Sequence, residues 1–235
     1  MTAATPQRRD FPDGDALAEG LAEAVAADLR RGIELRRQAT LAVSGGRTPG
    51  RFFAVLASKA LDWGKVTITL IDERWVPPSH ERSNEGFVRR GLLQGRAAAA
   101  RFVGLVNEAG DPEAGLAEIG GRIDALPQPF DAAVLGMGAD GHTASFFPGG
   151  DRLGEALNPE GEALVLPMRA AGAGEPRITL TLPVVAGARA VYLHIEGVEK
   201  AAVLEQASQP GDVEALPVRA VLRHPDAKLQ VYWCP

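Results

Sequence analysis

The sequence predicts a three-layer α/β/α fold, doubly wound around a mostly parallel sheet. Three observations point to it: short apolar runs alternate with amphipathic helical stretches, several runs are apolar on both faces, and turn-forming or charged loops follow them. A chain of 235 residues that is 46% hydrophobic can bury one such core. A single domain over 15–235 is expected, with 1–14 as a loose tail.

The elements follow in order. From Asp15 to Gln38, Leu17, Leu21, Val25, Leu29 and Ile33 recur every four residues, the mark of a helix packed on one face. Strands are expected at ATLAV (39–43), VTITLI (66–71), FDAAVL (130–135), ALVLP (163–167), RAVYLHI (189–195) and LQVYW (229–233). Between them PGRFFAVLASKAL, SNEGFVRRGLLQ, PEAGLAEIGGRIDAL and GVEKAAVLEQA read as helices, with Pro49 and Pro112 in first turns and Ser83 as an N-cap. RAAGAGEP (169–176) is the one stretch that reads as flexible.

Composition narrows the function. A net charge of −5 and the lack of a Lys/Arg run argue against nucleic-acid binding. No run has the length of a membrane span, and the opening residues have no apolar stretch of a signal sequence. One cysteine, Cys234, fits a reducing compartment, so a cytoplasmic protein is expected. His80, His142, His194 and His224 are too scattered for metal-ligand spacing; neither a metal nor a cofactor is expected. GMGADG has the GxGxxG spacing, but Asp140 and a short following helix would repel and crowd a pyrophosphate.

In a doubly wound fold ligands sit beyond the C-terminal strand ends, and four loops there carry chemistry. SGGRTP (44–49) offers Ser44, Gly45, Gly46, Arg47 and Thr48 as an anion cradle at a helix start, or as a bland Gly-Gly turn. It also approximates a nucleophile elbow, with Ser44 attacking and His142 as its base. IDERWVPP places Asp72, Glu73 and Arg74 at a strand end, where Arg74 can clamp an anion and Asp72 can accept sugar hydroxyls or hold the arginine. A structural ion pair explains them equally well. Asn84, beside the Ser83 cap, can face the same rim.

In GMGADGHTASFFPG (136–149) the glycines permit a sharp turn, and HTASFF is expected to make a short helix with His142 at its start. That position would keep the ring neutral and able to take a proton. Asp140 can orient the ring or bond turn amides. Arg177 and Lys200 add cations that, with Arg47 and Arg74, would make a local positive pocket on an acidic protein.

SGGRTP, DERWVP, SNEG, GMGADGHTASFFPG, PRITLTLP and GVEKA, in this order from Leu17 to the last strand, resemble the 6-phosphogluconolactonase family. The resemblance implies a NagB/RpiA-like Rossmann-type fold and hydrolysis of 6-phospho-D-glucono-1,5-lactone to 6-phosphogluconate in the oxidative pentose phosphate pathway. It implies that His142 is the base, that Arg74 lies in the pocket, and that Ser44, Gly45, Gly46, Arg47, Thr48 and Lys200 belong to the phosphate end; Arg177 matches the arginine of the RIT motif. The sibling glucosamine-6-phosphate deaminases share the DGH loop but follow it with an acid, where this chain reads SFFPG. The expected ligand is a sugar-phosphate lactone, and the chain is expected to be a monomer or weak homo-oligomer. A glucosamine-6-phosphate deaminase/isomerase-like enzyme, a serine esterase using Ser44 and a non-catalytic sugar-phosphate sensor are the rival readings.

Overall fold

The computed structural model describes residues 7–46 and 48–235. In chain order the elements are β1 (Gln7–Asp10), α1 (Gly14–Arg36), β2 (Ala39–Val43), α2 (Gly50–Ser58), β3 (Val66–Leu70), β4 (Asp72–Arg74) and α3 (Asn84–Gly91). Then follow β5 (Arg101–Val103), α4 (Pro112–Asp124), β6 (Ala132–Leu135), α5 (Leu153–Ala156), β7 (Val165–Met168) and β8 (Arg177–Leu180). The chain closes with α6 (Leu182–Ala186), β9 (Val191–Glu196), α7 (Val198–Ser208), α8 (Val218–Arg223) and β10 (Leu229–Cys234).

Seven strands form a central sheet in the order β1-β10-β9-β6-β2-β3-β5, every neighbouring pair parallel. β2 is buried along its whole length, as a strand covered on both faces must be. α1 presents Leu17, Leu21, Val25 and Leu29, all fully buried, and each contributes roughly 1.5–3 kcal/mol of apolar burial. Its first turn is capped by Asp13, whose side chain accepts from the Ala16 amide.

Three sequence expectations need correction. Residues 7–10, placed in a loose tail, form an edge strand against β10, and Phe11 continues it by donating its amide to the Trp233 carbonyl at 2.8 Å. ALVLP contributes no strand to the main sheet: β7 pairs with β8, and β8 with β4, in a separate antiparallel sheet of three short strands. Apolar content alone does not say which sheet a strand joins. HTASFF makes no helix; Ala144 adopts a left-handed φ of 52°, and Thr143 and Phe146 form an isolated bridge. Bonds to other segments impose this turn. The Thr143 hydroxyl donates to the Gly136 carbonyl at 2.8 Å, and the Ser145 amide donates to the Thr179 hydroxyl.

Strand order places the site. From β2 the chain runs outward through β3 and β5; it then returns to the other side of β2 and runs through β6, β9 and β10. The loops leaving β2 and β6 therefore diverge at a topological switch point, where a crevice opens at the carboxyl ends. Val43 and Val134 are paired in register, so both loops start side by side.

Candidate active site

A cavity of about 340 Å³ occupies this crevice. Ser44, Gly45, Gly46 and Thr48 line it from the β2 loop, Asp72 and Arg74 from β4, and Asn84 from the start of α3. His142 enters from the β6 loop, Arg177 from β8 and Lys200 from α7. Arg47 lies outside the described residues. Asp140 reaches the cavity through His142 instead of lining it.

Two contacts hold His142. Asp140 Oδ1 lies 2.6 Å from His142 Nδ1 and also accepts the His142 amide at 3.1 Å. Asp140 thus plays both roles the sequence left open, and the hydrogen bond from His142 holds its carboxyl below the usual range. With Nδ1–H given to this carboxylate, Nε2 is the nitrogen that bears the lone pair in the neutral ring. The helix-start argument for a neutral ring falls with the helix itself; the carboxylate sets the tautomer. Phe147 covers the imidazole with ring centroids 4.5 Å apart. Only glycine fits at 138, since a Cβ there would sit 2.2 Å from His142 Nδ1.

The small antiparallel sheet supplies the charged wall. Side chains alternate along a strand, so Asp72 and Arg74 share one face of β4 while Glu73 takes the other. Glu73 is structural: its carboxylate accepts the amides of Arg74, Asn84 and Glu85, each at 2.7 Å, and the Ser83 hydroxyl at 3.0 Å. Burial raises its pKa, and those donors oppose the rise. Ser83 also caps α3 by accepting the Gly86 amide, as its spacing predicted.

On the cavity face Asp72 Oδ2 accepts the Ser145 hydroxyl at 2.6 Å and lies 3.8 Å from Arg177 Nη1. Arg74 and Arg177 stand directly opposite each other across the β4–β8 ladder. Like charges so placed repel, and burial also lowers the Arg177 pKa, with Asp72 opposing and Arg74 adding to that drop. The Arg177 guanidinium lies 5.3 Å from the Phe147 ring, and its Nη2 donates to the Ala173 carbonyl at 2.6 Å. Arg82 and Glu175 form an ion pair at 3.0 Å, so the glycine-rich stretch 169–176 is strapped beside the cavity and contributes Gly172 to its wall.

At the other end the β2 loop meets α3. A Cβ on Gly45 would fall 2.0 Å from Asn84 Oδ1, so glycine lets the loop approach this amide. Asn84 Nδ2 donates to the Asp72 carbonyl at 2.8 Å, while Asn84 Oδ1 and Ser44 Oγ are buried without hydrogen-bond partners. Arg74 Nε and Arg177 Nε are likewise unpaired. Unpaired buried polar atoms concentrated on one cavity are what a polar ligand would satisfy. Burial lowers the Lys200 pKa, with Glu196 opposing.

Sequence reasoning missed three contributors. Ser145 holds Asp72 across 73 positions of chain, and no local signal announces that contact. Phe147 was noted for what it is not, an acid, although it packs on both His142 and Arg177. His194, inside the RAVYLHI strand, bonds Glu196 at 3.1 Å and also lines the cavity. Among the described residues no cluster of three His, Cys, Asp or Glu side chains could hold a metal ion, and no helix is long and apolar enough to cross a membrane.

Comparison with known proteins agrees with this architecture. A family model described as glucosamine-6-phosphate isomerases/6-phosphogluconolactonase matches residues 12–233. The chain is 52% identical over 225 residues to the 6-phosphogluconolactonase of Rhizobium meliloti (strain 1021), covering 96% of this chain and 97% of that protein. It is 49% identical over 225 residues to the 6-phosphogluconolactonase of Mesorhizobium japonicum, covering 96% and 94%. The crystal structure of a 6-phosphogluconolactonase from Shewanella baltica OS155 superposes with a TM-score of 0.96 at 40% identity, over 100% of both chains.

Proposed function

Because the chain belongs to the glucosamine-6-phosphate isomerase/6-phosphogluconolactonase family, we propose that it hydrolyses 6-phospho-D-glucono-1,5-lactone to 6-phosphogluconate, the lactone-opening step of the oxidative pentose phosphate pathway. The observation that carries this reading is His142, backed by Asp140, on the wall of a cavity that also presents Arg74, Arg177, Lys200, Asp72, hydroxyls and a glycine loop.

Lactone hydrolysis needs a base for water, a receiver for the oxyanion and an acid for the departing ring oxygen. His142 Nε2 takes a proton from water as its oxygen bonds to C1. Arg74, whose Nε is unpaired, receives the negative charge on the carbonyl oxygen. The intermediate collapses by breaking the bond from C1 to the ring oxygen, which takes the proton back from His142. Asp72, supported by Ser145 and Arg177, accepts from sugar hydroxyls, and the unpaired Asn84 Oδ1 does the same. Ser44, Gly45, Gly46, Thr48 and Lys200 hold the phosphate, next to the start of α2, and the family resemblance assigns Arg47 to the same role. Fixing the phosphate far from C1 orients the carbonyl for attack. The protein works in the cytoplasm in this reading.

The serine-esterase alternative loses support because Ser44 Oγ has no hydrogen-bond partner, so no base activates it. Phe147 against His142 favours the hydrolase over the amino-sugar branch, in which the equivalent stretch carries an acid. The test is a lactonase assay corrected for spontaneous opening. His142→Ala should lower kcat by about two to four orders of magnitude; near-normal turnover refutes the assignment.

A further inference from the structure

Beneath the phosphate end of the cavity lies an ionisable group that the proposed reaction does not use. His194 sits near the end of β9 with its side chain 3% exposed, and it lines the cavity with Ser44, Thr48, Pro49 and Lys200. Phe52 of α2 packs edge-on against the ring, centroids 6.3 Å apart, which places the imidazole under the first turns of that helix. Nε2 meets Glu196 Oε1 at 3.1 Å, whereas Nδ1 is buried and has no hydrogen-bond partner.

We propose that His194 is a proton acceptor coupled to phosphate binding: its unpaired Nδ1 takes up a proton when a phosphate dianion enters, and Glu196 holds its far side. The inference rests on the reading that the β2 loop and Lys200 bind phosphate.

The geometry supplies both halves of the coupling. Glu196 is an ionised acceptor, its carboxyl held low first by the hydrogen bond from His194 and further by Arg51 and Lys200. Nε2 therefore carries its hydrogen whether or not the ring is charged, and only Nδ1 changes state. Charged groups of both signs surround the ring. Glu196 is flanked by Arg51, with Nη1 3.8 Å from its Oε2, and by Lys200 of α7; Arg51 is shared with Asp15 of α1. Across the cavity stand His142, Asp72, Arg74 and Arg177. A dianion entering this region adds two negative charges beside a buried imidazole, and a nearby group able to take a proton then takes it. A solvent-exposed lysine could not answer in this way, because it is already charged.

The experiment is calorimetric titration of the whole protein with 6-phosphogluconate at pH 7.5, in buffers of different ionisation enthalpy, with D-gluconate as the unphosphorylated arm. At that pH a phosphate monoester is already a dianion, so a proton taken up on binding lands on the protein. Uptake is expected in the wild type and in His142→Ala, and its loss is expected in His194→Gln. Between pH 7 and 9 the wild-type affinity should fall by about threefold to tenfold per pH unit, and that of His194→Gln by less than about twofold. A second reading, free of any substitution, is the ring nitrogen NMR of His194, which should move from neutral to charged as 6-phosphogluconate is added. Uptake that survives in His194→Gln assigns the proton to Lys200 or another group and overturns the proposal. So does equal uptake with D-gluconate, or a His194 ring that stays neutral. Lactone turnover without proton uptake removes this inference and leaves the activity; absence of both turnover and 6-phosphogluconate binding removes the two together.

Discussion

Replacing Asp140 by Asn tests the catalytic pair without removing the base. The change keeps the side chain's shape and leaves an oxygen for the His142 amide, but it takes away the charge facing Nδ1. The Nδ1 to Oδ1 separation of 2.6 Å is that of a charge-assisted bond, worth about 1.5–3 kcal/mol when desolvated. The two side chains are 31% and 49% exposed, and solvent screening reduces the figure to about 1–2 kcal/mol. At 1.36 kcal/mol per decade this is a loss of about 5- to 30-fold in kcat. The Asp140 carboxyl is held low, so its contribution is present above the ordinary carboxylate range and disappears only as pH falls through the depressed value. The deficit should therefore persist at about pH 7–8, above the ordinary imidazole pKa, in an assay coupled to 6-phosphogluconate oxidation and corrected for spontaneous opening. A kcat within twofold of wild type, or a deficit confined to KM, would refute the orienting role.

Three further substitutions separate the parts of the pocket, and a fourth, outside it, serves as a control. Lys200→Ala should raise KM for the phosphorylated lactone by about 10- to 150-fold, the value of one charged hydrogen bond, and leave unphosphorylated glucono-1,5-lactone nearly unchanged; equal losses on both would remove Lys200 from the phosphate site. Gly45→Ala drives a Cβ to 2.0 Å from Asn84 Oδ1 and should cost about 1–3 kcal/mol in denaturant unfolding, whereas Gly121→Ala, with nothing within 4 Å, should be neutral or slightly stabilising. Ser145→Ala strips Asp72 of its 2.6 Å hydroxyl donor and should cost about 1–3 kcal/mol, seen as a lower Tm; an unchanged Tm would mean the bond is replaced by water.

Long periodic segments were the most legible part of the sequence. The four-residue recurrence of α1, the doubly apolar run of β2 and the Ser83 cap all follow from local chemistry, and the fold repeats them closely. The loops at the strand ends were legible as candidates because several of them, each with a structural reading of its own, carry glycines, arginines and a histidine at the same end of the sheet. What escaped was non-local. β7 left the main sheet for a pairing with β8 that only tertiary packing selects. HTASFF bends instead of winding because its hydroxyl and amide groups bond Gly136, Asp72 and Thr179, the last two far away in sequence. His194 hid inside a strand pattern, where burial and an unpaired ring nitrogen have no sequence signature.

The facing arginines of β4 and β8 bear on how the catalytic cycle ends. Opening the lactone creates a carboxylate that the substrate lacked, and in the proposed pose that new anion forms beside Arg74 and Arg177. The pair that relaxes as charge builds on the carbonyl oxygen is relaxed still more by the finished product. Departure of 6-phosphogluconate must then restore the repulsion between two guanidinium groups, so the residues that speed bond cleavage also retard release. Softening the Arg74–Arg177 opposition should therefore raise kcat where release limits turnover and lower it where bond cleavage does.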